Sequence, residues 1–297
     1  MNFAVQIDGD FTLIFKKGQG VVLREKTVEG AIAFGRIIDA EKLIAFMKDV
    51  FKRVKDVTKQ NCVFLIPCSL TALELNEYRK VAYATALGDV EFIPRGVAVA
   101  QYWGAEVGMT KSALIVDIYE CGTDVCIISG GSITNGGTID EGSALLKEAI
   151  RNYVQYKYHL KIADSQAKLA FEEVGTLFTG METQVGLAGV NLETARHDEI
   201  DFTGLDSYSA ISPVFRRISK AIQKVLNSAH IDDVAQIKSG GFYVSGVGSQ
   251  VTGLHEFFHE TLGIKATITE TGQNAAILGA GKLIDDSSIV KAIVKNN

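Results

Sequence analysis

The sequence predicts an α/β protein made of two similar lobes with a cleft between them. Two observations carry this prediction. The order three-strand meander, helix, strand, helix, strand, helix occurs twice, and the halves join near Gly108 to Ser112. An aspartate, Asp8 in one half and Asp117 in the other, stands at the same place in each, at the first hairpin turn. A repeat on this scale outranks any single motif. Turns at strand ends then face the cleft from both sides, where α/β folds usually hold a ligand.

Each element follows from local pattern. Phe3 to Ile7 is an apolar strand ending at the turn Asp8-Gly9-Asp10. Phe11 to Phe15 and Val21 to Leu23 complete the meander across Gly18-Gln19-Gly20. Asp39 caps a helix whose stripe is Leu43, Ile44, Phe46, Met47, Val50, Phe51 and Val54. Cys62 to Ile66 reads as a buried strand. Ser69 is the expected cap of a helix through about Leu87, with Glu74 and Glu77 in its early turns. Val90 to Ile93 is a short strand and Val97 to about Val107 a short helix. The second half opens with a strand at Ala113 to Ile118, a return strand at Asp124 to Ser129, and a third at Ile133 and Thr134. A helix spans about Ser143 to Tyr158. A less regular stretch from 162 to 206 holds two short strands, Thr183 to Leu192 and Glu199 to Phe202. A long helix reaches Ser228, with Ser212 as cap and Pro213 as first residue. Phe242 to Ser245 and Ala266 to Thr269 are strands; Gln250 to Leu262 and Asn274 to Ile284 are helices.

Composition bounds the function. The 297 residues are 47% hydrophobic and 22% charged, which excludes global disorder. The formal charge is −5 with no dense Lys/Arg run, so nucleic acid is not an expected partner. Four scattered cysteines, Cys62, Cys68, Cys121 and Cys126, make no disulfide framework and fit a reducing cytoplasm. The start MNFAVQIDGD lacks signal-peptide character, and no apolar run approaches membrane-spanning length.

Several stretches together carry a resemblance. They are Thr12 to Glu25, Cys62 to Ile93, Ala113 to Ile133, Glu148 to Ile162, Gly241 to Phe258 and Glu270 to Ile284. In this order they resemble the actin fold (duplicated ribonuclease H-like lobes), and more closely the MreB type of bacterial actin. The resemblance implies a first lobe at 1–110, with C-terminal helices at 273–297 packing back on it. It implies a second lobe at 111–272 with a small inserted subdomain at about 162–206. It also implies nucleotide-contacting residues in the cleft: Asp8, Thr12, Asp117, Gly122, Thr123, Gly246 and Gly248.

The departures from the family pattern shape the functional expectation. The family's first phosphate turn, D-x-G-T, is here Asp8-Gly9-Asp10-Phe11-Thr12, and Asp10 puts a carboxylate where phosphate oxygens would lie. The second, D-x-G-G-G-T, is here Asp117-Ile118-Tyr119-Glu120-Cys121-Gly122-Thr123, with much of the glycine freedom gone. The E-E-P turn that positions the attacking water aligns with Pro94-Arg95-Gly96, which has no carboxylate. The E-x-x-K pair beside adenosine aligns with Lys168 and Phe171. Ser245-Gly246-Val247-Gly248 keeps the adenosine-side loop. The short stretch from Glu25 to Ile38 leaves the first lobe's small subdomain reduced or absent.

The expectation is therefore a structural, cytoskeletal or scaffolding protein without catalytic residues or a metal site. ATP or ADP with Mg²⁺ is bound weakly or not at all, and hydrolysis is poor. The expected partners are further copies of itself or other proteins of a bacterial assembly. The alternative is a non-filament adaptor or chaperone-like component; a working ATPase or sugar kinase ranks last.

Other signals have bland readings. His255-Glu256-Phe257-Phe258-His259 matches the zinc pattern H-E-x-x-H, but its Phe residues and flanking Leu254 and Leu262 read as helix core. Cys121 and Cys126 read as hairpin residues. Tyr102 and Trp103 read as packing between lobes. Lys48, Lys52, Arg53, Lys55 and Lys59 read as a solvated helix end.

Overall fold

The computed structural model describes residues 1–33, 35–54, 60–85, 88–104 and 110–285. The expected features at Lys55, Lys59, Leu87, Val107, Gly108 and residues 286–297 lie outside the described residues.

The first half supplies β1 (Phe3–Ile7), β2 (Phe11–Lys16), β3 (Gly20–Lys26), a small hairpin of β4 (Ile32–Ala33) and β5 (Arg36–Ile37), α1 (Ala40–Arg53), β6 (Cys62–Ile66), α2 (Ala72–Ala84), β7 (Val90–Pro94) and α3 (Arg95–Trp103). The β4–β5 hairpin is the only regular structure described between Lys26 and α1. The second half supplies β8 (Ala113–Ile118), β9 (Thr123–Ser129), β10 (Ser132–Ile139), α4 (Ser143–Tyr158), β11 (Leu160–Ile162), α5 (Asp164–Val174), β12 (Gln184–Asn191), β13 (His197–Thr203), α6 (Gly204–Asn227), α7 (Ile231–Gly240), β14 (Phe242–Ser245), α8 (Leu254–Leu262), β15 (Ala266–Ile268) and α9 (Ala275–Asp285).

The repeat is visible in topology. One five-stranded sheet runs β3-β2-β1-β6-β7 and the other β10-β9-β8-β14-β15. In each, an antiparallel meander continues into parallel strands. Strands β11, β12 and β13 form a separate antiparallel sheet.

Strand alternation sorts side chains into three cores. Phe3, Val5 and Ile7 face the α1 side; Leu114, Val116 and Ile118 face the outer core of the second half. Ala4, Ala113 and Ile115 point the other way, into a central layer with α3 and α9 between the sheets. Within that layer the two helices meet at small residues. A Cβ on Gly279 would overlap the Ala98 carbonyl, so glycine lets α9 lie against α3. By the same alternation Asp117 faces inward beside Ala113 and Ile115. Asp124, opposite it in register, shares that face with Cys126.

Four element predictions need correction. The cap of α2 is Thr71, not Ser69: Thr71 and Glu74 form a reciprocal capping box, while the Ser69 N–H is spent on Thr138 Oγ1 at 3.2 Å. The long helix α6 begins at Thr203, where a second box with Asp206 outweighs Pro213, which lies inside the helix. Tyr153, Tyr158 and Lys157 all bond the Asp206 carboxylate, anchoring that start. Helix α8 starts at Leu254, after a 3-10 turn at Val247–Ser249. Helix α7 has no counterpart in the sequence reading; its single fully buried residue, Ile237, leaves no apolar stripe to detect. Among the described residues no helix is long and apolar enough to cross a membrane.

Candidate functional site at the two facing turns

The first turn follows β1. Asp8 N–H donates to the Phe11 carbonyl at 3.1 Å, and Asp8 Oδ1 accepts from Gly9 N–H at 2.8 Å. The second turn links β8 and β9 and is closed by Tyr119 N–H donating to the Gly122 carbonyl at 3.0 Å. The amides of Ser143 and Ala144, at the start of α4, donate to the Tyr119 and Glu120 carbonyls. The helix N-terminus, a natural anion site, is thus partly satisfied by the turn itself. The turns also pack on each other: a Cβ on Gly9 would overlap Glu120 Oε2 and Cys121 Sγ.

Arg95, the first residue of α3, fills the base of this junction and is 3% exposed. Its Nε and Nη2 lie 3.0 and 2.9 Å from Asp117 Oδ2, and its Nη1 lies 3.6 Å from Asp8 Oδ2. Its guanidinium carbon sits 4.4 Å from the Tyr119 ring centre. Burial alone would lower its pKa, but the Asp117 and Asp8 carboxylates outweigh that and raise it, so the cation is permanent. Asp117 Oδ1 takes a further bond from Ser245 Oγ at 2.7 Å. Burial pushes Asp8 upward against the pull of Arg95. Asp124 accepts from Thr138 Oγ1 at 2.6 Å and Cys68 N–H at 3.0 Å, yet burial still raises its carboxyl to about 6.

The structure brings some expected residues together and turns others away. Asp8 and Asp117 meet through Arg95. Thr12 is fully buried and shares a 3.0 Å hydrogen bond with Thr27. Thr123, also fully buried, donates to the Glu141 carbonyl. Gly122 packs on Tyr119, where a Cβ would lie 2.8 Å from the Ile139 carbonyl. Gly246 adopts φ 90°, and Cβ atoms at Gly246 and Gly248 would overlap Ile118. Packing against Ile118 gives both loop glycines a structural role. Sequence reasoning set Arg95, with its opposite sign, at the turn aligned with the family's water-positioning acid but missed its pairing with Asp8 and Asp117, and it missed Asp124 as a cleft carboxylate. Their signals were a charge straight after a strand and an acid opposite Asp117 in an apolar run. The fold also gathers Asp8, Glu120 and Cys121, whose donor atoms lie within 4.8 Å of one another, close enough to share a metal ion; they come from different halves.

Beside the turns the cleft is open. A cavity of about 340 Å³ is lined by Phe11, Lys26, Ser143, Lys168, Phe171 and Val247. It adjoins one of about 500 Å³ whose lining includes Asp10, Glu29, Glu120, Lys147 and Arg151. Gly9 and Asp10 of the first turn and Glu120 of the second line the larger cavity, and Arg95 lies buried at the base of the turns.

The remaining motifs resolve simply. His255 Nδ1 lies 2.6 Å from the Ala266 carbonyl, and Phe257 and Phe258 are core, so the H-E-x-x-H helix packs rather than presents a ligand pair. Trp103 stacks on Tyr243 at 5.0 Å, joining α3 to the second sheet. Cys126 lies not against Cys121 but against Cys68.

Two sheets of one topology, joined by a shared helical layer with facing turns above it, define an actin-like protein. Residues 27–292 match the MreB/Mbl protein family, and the chain belongs to it. The cell shape-determining protein MreB of Escherichia coli (strain K12) is 23% identical over 92% of this chain and 90% of its own length. Among solved structures, MreB5 of Spiroplasma citri bound to ADP superposes with a TM-score of 0.89 at 20% identity, covering 100% of this chain and 99% of its own. The MamK double helical filament superposes at 0.81 with 16% identity, covering 96% and 98%.

Proposed function

We propose that this chain is a cytoskeletal scaffold of the MreB kind, acting in cell shape or assembly, in which an internal arginine does what a nucleotide-bound cation does in a working actin-like ATPase. Its lobes are residues 1–110 with the C-terminal segment 273–297, and residues 111–272. The observation that carries the reading is Arg95, buried between Asp8 and Asp117. A fixed cation there neutralises the carboxylates that would otherwise hold a divalent metal, and it stands where the family places a water-positioning acid. Phosphoryl transfer depends on positioning and charge stabilisation, and neither is arranged for here. Nucleotide binding is weak, confined to the side lined by Lys168, Phe171 and Val247, and hydrolysis is lost.

A relative solved as a filament supports self-association as the working state. A second reading, a non-filament adaptor within a larger assembly, draws on the small β4–β5 hairpin, the reduced counterpart of a subdomain that contributes to filament contacts in the family. Calorimetry with ATP, ADP and Mg²⁺, paired with phosphate release, tests the first claim: the expected result is weak or undetectable heat, Mg²⁺-independent, and no turnover. Turnover at a rate usual for actin-like ATPases would overturn it. Sedimentation with and without ATP separates filament from adaptor. Pelleting polymer in both conditions supports the scaffold, and a stable monomer or dimer supports the adaptor.

A further inference from the structure

The loop after β6 belongs to the first sheet, and β9 to the second. They meet along a seam fixed by polar contacts. Cys68 N–H donates to Asp124 Oδ2 at 3.0 Å and Ser69 N–H to Thr138 Oγ1 at 3.2 Å, while Thr138 itself donates to Asp124. Within the seam Cys68 Sγ lies 3.6 Å from Cys126 Sγ. Cys68 is half-buried and Cys126 fully buried. Two glycines leave room for the pair. A Cβ on Gly96 would overlap Cys126 Sγ and lie 2.9 Å from Cys68 Sγ, and Gly136, the cross-strand neighbour of Cys126, offers no side chain.

We propose that Cys68 and Cys126 are a modification site: under an oxidising low-molecular-weight disulfide such as oxidised glutathione they form a reversible disulfide that ties the two lobes together. The sulfurs must close by roughly 1.5 Å to reach bonding distance. Cys68, the less buried residue of the pair, attacks oxidised glutathione as its thiolate. A Cys68–glutathione bond forms and one glutathione thiolate leaves. The Cys126 thiolate then attacks the Cys68 sulfur, forming the Cys68–Cys126 bond and releasing the second glutathione. The two protons lost by the protein thiols go to the two glutathione thiolates, and the two electrons reduce the oxidant. The contact with Cys126, burial and the Asp124 carboxylate all hold Cys68 protonated at neutral pH. The exchange is therefore slow there and faster in mildly alkaline buffer.

The test uses the full-length chain incubated with oxidised glutathione at mildly alkaline pH, quenched with acid and mapped by mass spectrometry without reduction. The expected product is a peptide pair linked through Cys68 and Cys126, with Cys62 and Cys121 still reduced. It disappears with dithiothreitol and in both Cys68→Ala and Cys126→Ala. Because Cys126 is buried, Cys68→Ala serves as the primary control. The linked chain is expected to melt roughly 5–10 °C higher and to show slower amide exchange at residues 67–69 and 124–126. A stable glutathione adduct on Cys68 alone, four thiols left free, a linkage to Cys62 or Cys121, or a linked chain with unchanged melting and exchange would each overturn the proposal. None of these outcomes bears on the Arg95 reading, which calorimetry decides.

Discussion

Arg95 brings the carboxylates of both turns onto one buried cation. A lysine could not replace it: the planar fork touches Asp117 through two nitrogens, reaches Asp8 with a third and lies over Tyr119. A buried ion pair contributes little net stability when intact, but losing one partner strands the other, at a cost of about 3–5 kcal/mol. Arg95→Ala is therefore expected to lower urea-unfolding stability by about that amount, with Arg95→Lys intermediate. It also leaves Asp8, Asp117 and Asp124 clustered without a cation. Millimolar Mg²⁺ should then recover part of the lost stability in Arg95→Ala and leave the unsubstituted chain unchanged. If Mg²⁺ raised the melting temperature of both equally, the arginine would not be standing in for a metal.

At the scale of elements, the Ser245–Ser249 loop separates two meanings of a glycine. In a nucleotide-binding loop glycine lets a ligand approach; here Gly246 and Gly248 lie against Ile118. Gly246 has φ 90° and ψ 165°, a region essentially reserved for glycine, so alanine there costs about 1–3 kcal/mol from the backbone alone before the clash with the Ile118 carbonyl. Gly246→Ala is expected to lower the melting temperature clearly. A loss of nucleotide affinity at unchanged melting would assign the glycine to the ligand instead. The same comparison marks what the sequence could disclose. The meanders, α1, β6, α4 and α9 were legible because periodicity and turn residues are local signals. Helix α6 was misplaced because Pro213 resembles a start, while the deciding group, Asp206, draws on Tyr153, Lys157 and Tyr158 from another helix. The site was legible in its turns, through Asp8 and Asp117, and illegible in its chemistry. Nothing local tells that Arg95 points into the cleft, that Thr12 and Thr123 point away from it, or that Asp124 lies across from Asp117.

Across the whole molecule, the halves meet through ionisable groups, so their union depends on pH. Asp124 at the seam has a folded-state pKa of about 6 against an ordinary 3.8, because burial disfavours its charge. The folded chain therefore holds this proton more tightly than the unfolded one. The resulting stability is fully present below about 3.8 and is lost as pH rises through about 6, a swing of about 3 kcal/mol. Asp8 is shifted in the same direction. Asp206 acts in the opposite sense. Burial raises its pKa, but Lys157 and the Thr203 cap hold it down to about 2, so its contribution is present above about 3.8 and fades only as pH falls toward 2. The two trends predict greatest stability near pH 4, with a decline from there to about pH 6 and little further change from these two groups above it. Asp124→Asn keeps an acceptor for the Cys68 amide and can donate to the Thr138 oxygen, but cannot ionise. Its melting temperature should fall less than that of the unsubstituted chain from pH 4 to 7, with the curves diverging between about pH 4 and 6 and running parallel above. Curves parallel across that whole range would show that Asp124 is not the titrating group, and that the seam bears its charge without cost.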